Sequence, residues 1–182
     1  MIIVESRKKT TLPKKFPDAI FIDVTSKATD KFKKLSPFYP HGRIPVPFMD
    51  GTYSACVEGI WQGLKVFESE GIDRSKFTND TMKNLKRTCR RLGPVKGHKK
   101  GNELLGYVDA RKEIYIPSYF WMLEHYCMDL VNEIRVMAQD KTVFLLDYDT
   151  NTDITNPDKP LSHASLIKKY IEEHFIVPSM GL

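Results

Sequence analysis

Glu58, Trp61, Gln62 and Lys65 recur at i, i+3, i+4 and i+7. At about 100° per residue they share one arc of a helix expected over Ser54 to Ser69, which Gly71 would stop. A carboxylate, an indole, an amide and an ammonium on one stripe can move protons, stack on a planar ring and hold an anion. Val57, Ile60, Leu64 and Phe67 form a separate apolar arc that should face a core. The polar stripe lies well off that arc, so it points into a cleft or into solvent. An exposed face carrying one half-buried Trp has the same pattern, since Glu58 and Lys65 are too far apart to pair.

Other chemistry-bearing groups lie elsewhere. Val143-Phe144-Leu145-Leu146 reads as the core of a buried strand over Thr142 to Asp147, leading into Tyr148-Asp149-Thr150-Asn151-Thr152-Asp153. Oxygen side chains at alternate positions resemble the start of a calcium loop. The sixth position is Thr152 instead of Gly, the twelfth is Asp158 instead of Glu, and a strand leads in. Acids leaving a strand can instead bind ribose hydroxyls or transfer protons, and Asx-rich turns also serve as connectors. Between Thr81 and Lys100 stand Lys83, Lys86, Arg87, Arg90, Arg91, Lys96, Lys99 and Lys100 with no acid among them. Such a run suits nucleic-acid or dinucleotide phosphates, or a solvated helix face followed by a loop. Gly97-His98-Lys99-Lys100-Gly101 reads as a phosphate-contacting turn without the spacing of a Walker loop. The histidines and the cysteines Cys56, Cys89 and Cys127 have no zinc spacing, and the odd thiol count fits a reducing compartment.

These residues need a scaffold. Strands are expected at Met1 to Val4 and Ala19 to Val24, and helices at Ser26 to Leu35, Asp80 to Leu92, Ile116 to Ala138 and Pro160 to Phe175, the last capped by Ser162. Pro37, Pro40, Pro45, Pro47 and Gly42 exclude regular structure from Ser36 to Phe48, while Phe38, Tyr39, Ile44, Val46 and Phe48 anchor that loop. The chain of 182 residues, 41% hydrophobic and 28% charged with a net charge of +5, suits one domain over 1–182 and excludes collagenous, disordered and disulfide-scaffold classes. No stretch nears the roughly 20 apolar residues of a membrane span, and Met1-Ile2-Ile3-Val4-Glu5 lacks a secretory layout. A cytoplasmic protein without membrane partners is expected.

Leu35-Ser36-Pro37-Phe38-Tyr39-Pro40, Gly51-Thr52-Tyr53-Ser54 and Val57 to Lys65 resemble the opening motifs of the NADAR (YbiA-like) superfamily. Its members carry a Ser-x-Phe element and a helix patterned Glu-x-x-[aromatic]-Gln-x-x-Lys, met here at Glu58, Trp61, Gln62 and Lys65. Arg90-Arg91-Leu92-Gly93 is similar to a later family element. Leu145-Leu146-Asp147 and Asp153 can occupy the place of a terminal acidic motif whose Trp-Gly pair is missing, which points to a divergent branch of the kind found in bacteria and their phages. The resemblance implies an α+β fold, a single helix-rich domain with a few short strands. It also implies hydrolysis of an N-glycosidic bond in a ribosyl-phosphate or ADP-ribose-like substrate, which includes removal of ADP-ribose from guanine in nucleic acid. Glu58 would then stabilise an oxocarbenium-like transition state and activate water, with Asp147 or Asp153 as a second carboxylate. Trp61 would stack on the base, Gln62 would bond ribose or base, and Lys65, Arg43, Arg90 and Arg91 would hold phosphate beside Ser36 and Phe38. No metal or redox cofactor is called for. A non-catalytic module that sequesters a nucleotide or nucleic acid would use the same residues, and a structural protein without a pocket would use none of them.

Overall fold

The computed structural model describes residues 1–175. Along the chain, strand β1 (Ile2–Ser6), a single turn α1 (Leu12–Lys15) and strand β2 (Ile20–Asp23) come first. The proline-rich loop then closes on itself through the two-residue strands β3 (Ile44–Pro45) and β4 (Tyr53–Ser54). Helix α2 (Val57–Leu64) runs directly into strand β5 (Lys65–Phe67). After the short α3 (Cys89–Leu92) comes the hairpin of β6 (Val95–Lys100) and β7 (Glu103–Leu105). A helical stretch follows: α4 (Tyr107–Ala110), a π-helical turn over Arg111–Tyr115, α5 (Ile116–Tyr126) and α6 (Met128–Asp140). Strand β8 (Val143–Asp147) and helix α7 (His163–His174) complete the α+β fold.

β8 lies between β1 and β2 and is parallel to both, with Ile3 and Phe21 in register beside Phe144. Its side chains face protein on both sides, which is why Val143 to Leu145 reads as an unbroken apolar run. The core joins this sheet to α2, α5, α6 and α7 through Ile22, Val57, Ile60, Leu64, Tyr119, Leu123, Ile134, Leu145 and Ile167. Among the described residues no helix is long and apolar enough to cross a membrane.

Several expected elements differ. The helix expected over Ser54 to Ser69 covers only Val57–Leu64, because Lys65 to Phe67 pair antiparallel with β6 and the Arg87 guanidinium takes the carbonyls of Gln62 and Lys65. Phe67 is still buried, now on a strand. Ser26 to Leu35 has only a 3₁₀ turn at Lys31–Leu35, started by Asp30 accepting from the Phe32 N–H at 3.0 Å. Asp80 to Leu92 is irregular up to α3, since Arg87 turns inward and is buried there. The glycine-flanked basic turn is the strand β6, with His98 opposite Lys65. The long helix begins at Tyr107 instead of Ile116 and breaks at Cys127. Pro117 has no N–H for the Glu113 carbonyl, and the π turn stands directly before that gap. The caps hold better: Ser162 Oγ accepts from the Ser165 N–H at 3.3 Å, and Leu166, Ile167, Tyr170 and Ile171 are buried.

Two glycines fix α2 in place. A Cβ on Gly63 would lie 2.2 Å from the Phe77 ring, and one on Gly59 would lie 2.5 Å from the Lys76 carbonyl oxygen. One α2 face therefore meets another chain segment at backbone distance, leaving the Glu58 stripe to a different side.

Candidate active site

A cavity of about 430 Å³ opens at the carboxyl ends of β2 and β8, the edge at which open parallel sheets offer their ligand sites. Thr25 and Ser26 follow β2, and Asp147, Tyr148 and Asp149 leave β8. The opposite wall is α2, which contributes Glu58, Trp61 and Gln62, and Lys65 follows at its end. Ser36, Pro37 and Phe38 close one side, Lys86 to Thr88 another, and Tyr107, Arg111, Tyr115, Leu161 and His163 the remainder.

Glu58 is the second residue of α2, whose N-cap Cys56 accepts from the Gly59 N–H through Sγ. Its own N–H donates to the Pro37 carbonyl at 2.8 Å, tying the Ser36 to Phe38 wall to the helix start. The side chain is 6% exposed. Oε1 accepts one bond, from Gln62 Nε2 at 2.8 Å, and Oε2 has no partner among the described residues. Burial pushes this carboxyl above its ordinary range, against the opposing pull of the Gln62 bond and of Lys65, Lys86 and His163. A group so placed is a candidate general base with an oxygen free for a ligand.

Asp147 has the opposite circumstances. Oδ2 accepts from Ser162 Oγ at 2.8 Å, the Ala164 N–H at 3.2 Å and His163 Nδ1 at 3.0 Å, while Oδ1 accepts from the Tyr148 N–H at 2.7 Å. Burial raises its pKa, but His163 and these donors outweigh it and hold the carboxyl below the usual range. His163 Nε2 meets the Val24 carbonyl at 2.8 Å. A carbonyl and a carboxylate both only accept, so this setting favours a proton on each ring nitrogen and hence the imidazolium form. Burial alone would lower the His163 pKa, and the Asp147 charge and bonds raise it. The pair fastens the start of α7 to the end of β8 and to β2, with no lone pair of Asp147 Oδ2 left for a substrate.

Trp61 does not offer a free face. It stacks on the fully buried His98 with ring centroids 3.8 Å apart and meets Tyr107 and Tyr115 edge-on at 5.7 and 5.5 Å. Only 8% of it is exposed, so Phe38, half-buried with Lys86 Nζ 5.9 Å from its ring, is the better platform for a base. His98 is held neutral, its pKa lowered to about 3 by burial and by nearby Lys65. Burial also lowers the Lys65 pKa, in part offset by Glu58, and Lys65 Nζ lies 3.3 Å from Gln62 Oε1.

Of the cations around the cavity, two are structurally engaged. Arg87 bonds the carbonyls of Gln62, Lys65 and Gly71. Arg111 bonds those of Ile154, Asn156 and Lys159, which pins the 150–160 loop, and lies over Tyr107 at 4.4 Å. Lys86, without a hydrogen-bond or ion-pair partner among the described residues, and Lys65 remain for an anion.

The structure thus brings together Ser36, Phe38, Glu58, Trp61, Gln62, Lys65 and Asp147, and leaves Arg43, Arg90, Arg91 and Asp153 outside the lining. Arg43 is exposed and lies over Tyr53 at 4.3 Å. Arg90 and Arg91 point to solvent from α3. Asp153 closes its own turn by accepting from Thr155 at 2.8 Å (N–H) and 2.7 Å (Oγ1). In the stretch resembling a calcium loop, Asn151 likewise bonds locally, to the Asp153 and Lys159 carbonyls. Lys86 and Arg87 enter the site from the basic run, while Tyr107, Arg111, Tyr115 and His163 join it without a sequence motif. The one usable signal was polar residues directly after two expected strands, at Thr25-Ser26 and Asp147 to Asp149. All three cysteines are unpaired.

A family model matches residues 4–167, described as a family of unknown function, DUF6939. The chain belongs to that family. Every residue lining the DUF6939 cavity, from Thr25 to His163, falls inside the matched span. No curated protein and no solved structure matches the sequence.

Proposed function

We propose that this protein hydrolyses an N-glycosidic bond in a ribosyl-phosphate or ADP-ribose-type substrate, with removal of ADP-ribose from guanine in nucleic acid as one form of that reaction. The observation that carries the reading is Glu58, a buried carboxylate with one oxygen unpartnered, facing a cavity that also holds two available lysines and an aromatic platform. The likeness of residues 35–65 to the NADAR superfamily supports it.

Breaking a C1′–N bond sends its electron pair to the base and builds positive charge on the ribose ring. A carboxylate beside the ring stabilises that charge and takes a proton from the water that adds to C1′, and the proton then passes to the departing nitrogen. Lys65 and Lys86 would hold phosphate, and Phe38 would stack on the base. Lys83, Arg90, Arg91 and Lys96, exposed in the same basic run as Lys86, would extend contacts along a nucleic acid.

A nucleotide-sequestering module is the second reading. It is favoured by the engagement of Asp147, whose Oδ2 is filled by its protein partners and is not free to act as the second carboxylate. Wild type and Glu58→Gln are incubated with ADP-ribose, NAD, ribosylamino-pyrimidine phosphates and ADP-ribosylated guanine DNA, and released base or ADP-ribose is followed by mass spectrometry. Release by wild type alone supports the hydrolase; binding by both proteins without release from any substrate supports sequestration.

A further inference from the structure

Gln62 stands where the cavity wall of α2 meets the basic segment. Its side-chain oxygen accepts from the Arg87 backbone N–H at 3.0 Å and from Lys65 Nζ at 3.3 Å. Both partners can only donate, so the oxygen must lie on that side and the NH₂ group on the other, where it reaches Glu58 Oε1 at 2.8 Å. Arg87 is itself immobilised. Its side chain is 1% exposed, bonded to the carbonyls of Gln62 at 3.2 Å, Lys65 at 2.5 Å and Gly71 at 2.8 Å, and paired with Glu70 at 3.2 Å.

We infer that Gln62 is a positioning residue that turns the free oxygen of Glu58 into the cavity, and that Arg87 is the latch which fixes the sense of the Gln62 amide by docking the segment around Lys86. The inference rests on the reading of Glu58 as the working carboxylate. A donor aimed at Oε1 favours the ionised group and sets the plane of the carboxylate. It also reassigns part of the basic run: Arg87 assembles the site and is not available to phosphate, whereas Lys86, carried on the same segment, is. The hydrogen-bonding capacity of Gln62 is nearly filled, with one amide hydrogen left for a ligand.

The charged and titratable groups around Glu58 are Lys65, Lys86, His163, Tyr115 and Cys56. The primary variant therefore changes the uncharged Gln62, the charge-conserving Arg87→Lys accompanies Arg87→Ala, and Glu58 is read directly. In protein carrying ¹³C-carboxyl glutamate, the Glu58 resonance is assigned by its loss in Glu58→Gln, and its titration is followed by NMR without any substrate. Gln62→Met, equal in length and without the amide, is expected to shift the Glu58 midpoint upward. Arg87→Ala is expected to shift it the same way, and Arg87→Lys by less. In wild type, where folding is not at issue, the Gln62 side-chain NH₂ resonance should move with the Glu58 titration. An unchanged midpoint in Gln62→Met, or an NH₂ resonance indifferent to that titration, overturns the inference whatever the protein's activity proves to be. On a substrate that wild type turns over, Gln62→Met should lower kcat by about 10²-fold and displace the acid limb of the profile upward. A rise in KM alone would make Gln62 a ligand contact and overturn the positioning role.

Discussion

Glu58 and Asp147 are 6% and 3% exposed in walls of the same cavity, and their carboxyls are nevertheless displaced in opposite directions. Asp147 has four polar partners, one of them the His163 ring whose pKa is raised, and Glu58 has one amide. Desolvation acts on both; the count and charge of the donors decide the outcome. The difference divides the labour of the cavity, with the β8–α7 side holding the fold closed and the α2 side keeping a reactive group incompletely satisfied.

The sharpest way to break this comparison is to exchange the readouts. Glu58→Gln should lower turnover by about 10³-fold or more while the protein stays folded. Asp147→Ala should cost about 3–5 kcal/mol of stability, because it leaves the His163 imidazolium buried and unpaired, and should spare kcat in whatever remains folded. Chemical denaturation and steady-state kinetics on both variants check this. Equal losses of activity without unfolding would erase the distinction.

The pH dependence of stability gives a second, smaller contrast. The Asp147 pKa is lowered, so its contribution is present above the ordinary value of 3.8 and is lost as pH falls through the folded value. The His163 pKa is raised, so its contribution is complete below 6.5 and is lost as pH rises through its folded value. The pair therefore stabilises most between those limits, and melting curves of His163→Ala should lack that plateau. Glu58, with a raised pKa, favours the fold most when protonated, below 4.5, and this advantage disappears as pH rises through its folded value. Glu58→Gln should consequently melt higher than wild type at neutral pH, each kcal/mol relieved being worth about 2–4 °C in a chain of this size, and the gap should close on acidification.

Activity should follow a bell that is narrower than ordinary residues would give. Its acid limb rises with the elevated Glu58 pKa, and its alkaline limb falls with the lowered Lys65 pKa. Lys65→Gln should remove the alkaline limb in a pH–rate profile. The smallest effect is expected at Lys86, where Lys86→Ala should weaken a phosphate-bearing ligand about tenfold, with less of a difference at high salt, as titration calorimetry at two ionic strengths would register.

How legible these features were depended on the range of the interactions behind them. The stripe of Glu58, Trp61, Gln62 and Lys65 was visible because helical periodicity is local, and all four line the cavity. Strands β1, β2 and β8 and the Ser162 cap were legible for the same reason. The end of α2 was not. Nothing near Leu64 marks a stop; the carbonyls there are claimed by Arg87, more than twenty residues on, and Lys65 to Phe67 are claimed by β6. In a run of basic residues, Arg87 carries no mark that distinguishes it from its exposed neighbours. Asp147 was found as an acid at a strand end, but its partner His163 lies beyond an irregular connection, so its role as a fastener could not be seen. Trp61 was expected to stack on a base, and in the structure its ring stacks on His98, a partner more than thirty residues on that no local pattern reveals.

Gly59 and Gly63 seat α2 flush against Lys76 and Phe77 with no room for even a methyl group. The helix bearing Glu58 thus has a hard backstop: it can neither slide nor roll to meet an incoming molecule. The facing stretches are held as well, Lys86 to Thr88 through the buried Arg87 and the 150–160 loop through Arg111. Mechanically the site is a mould, set on all sides before a ligand arrives.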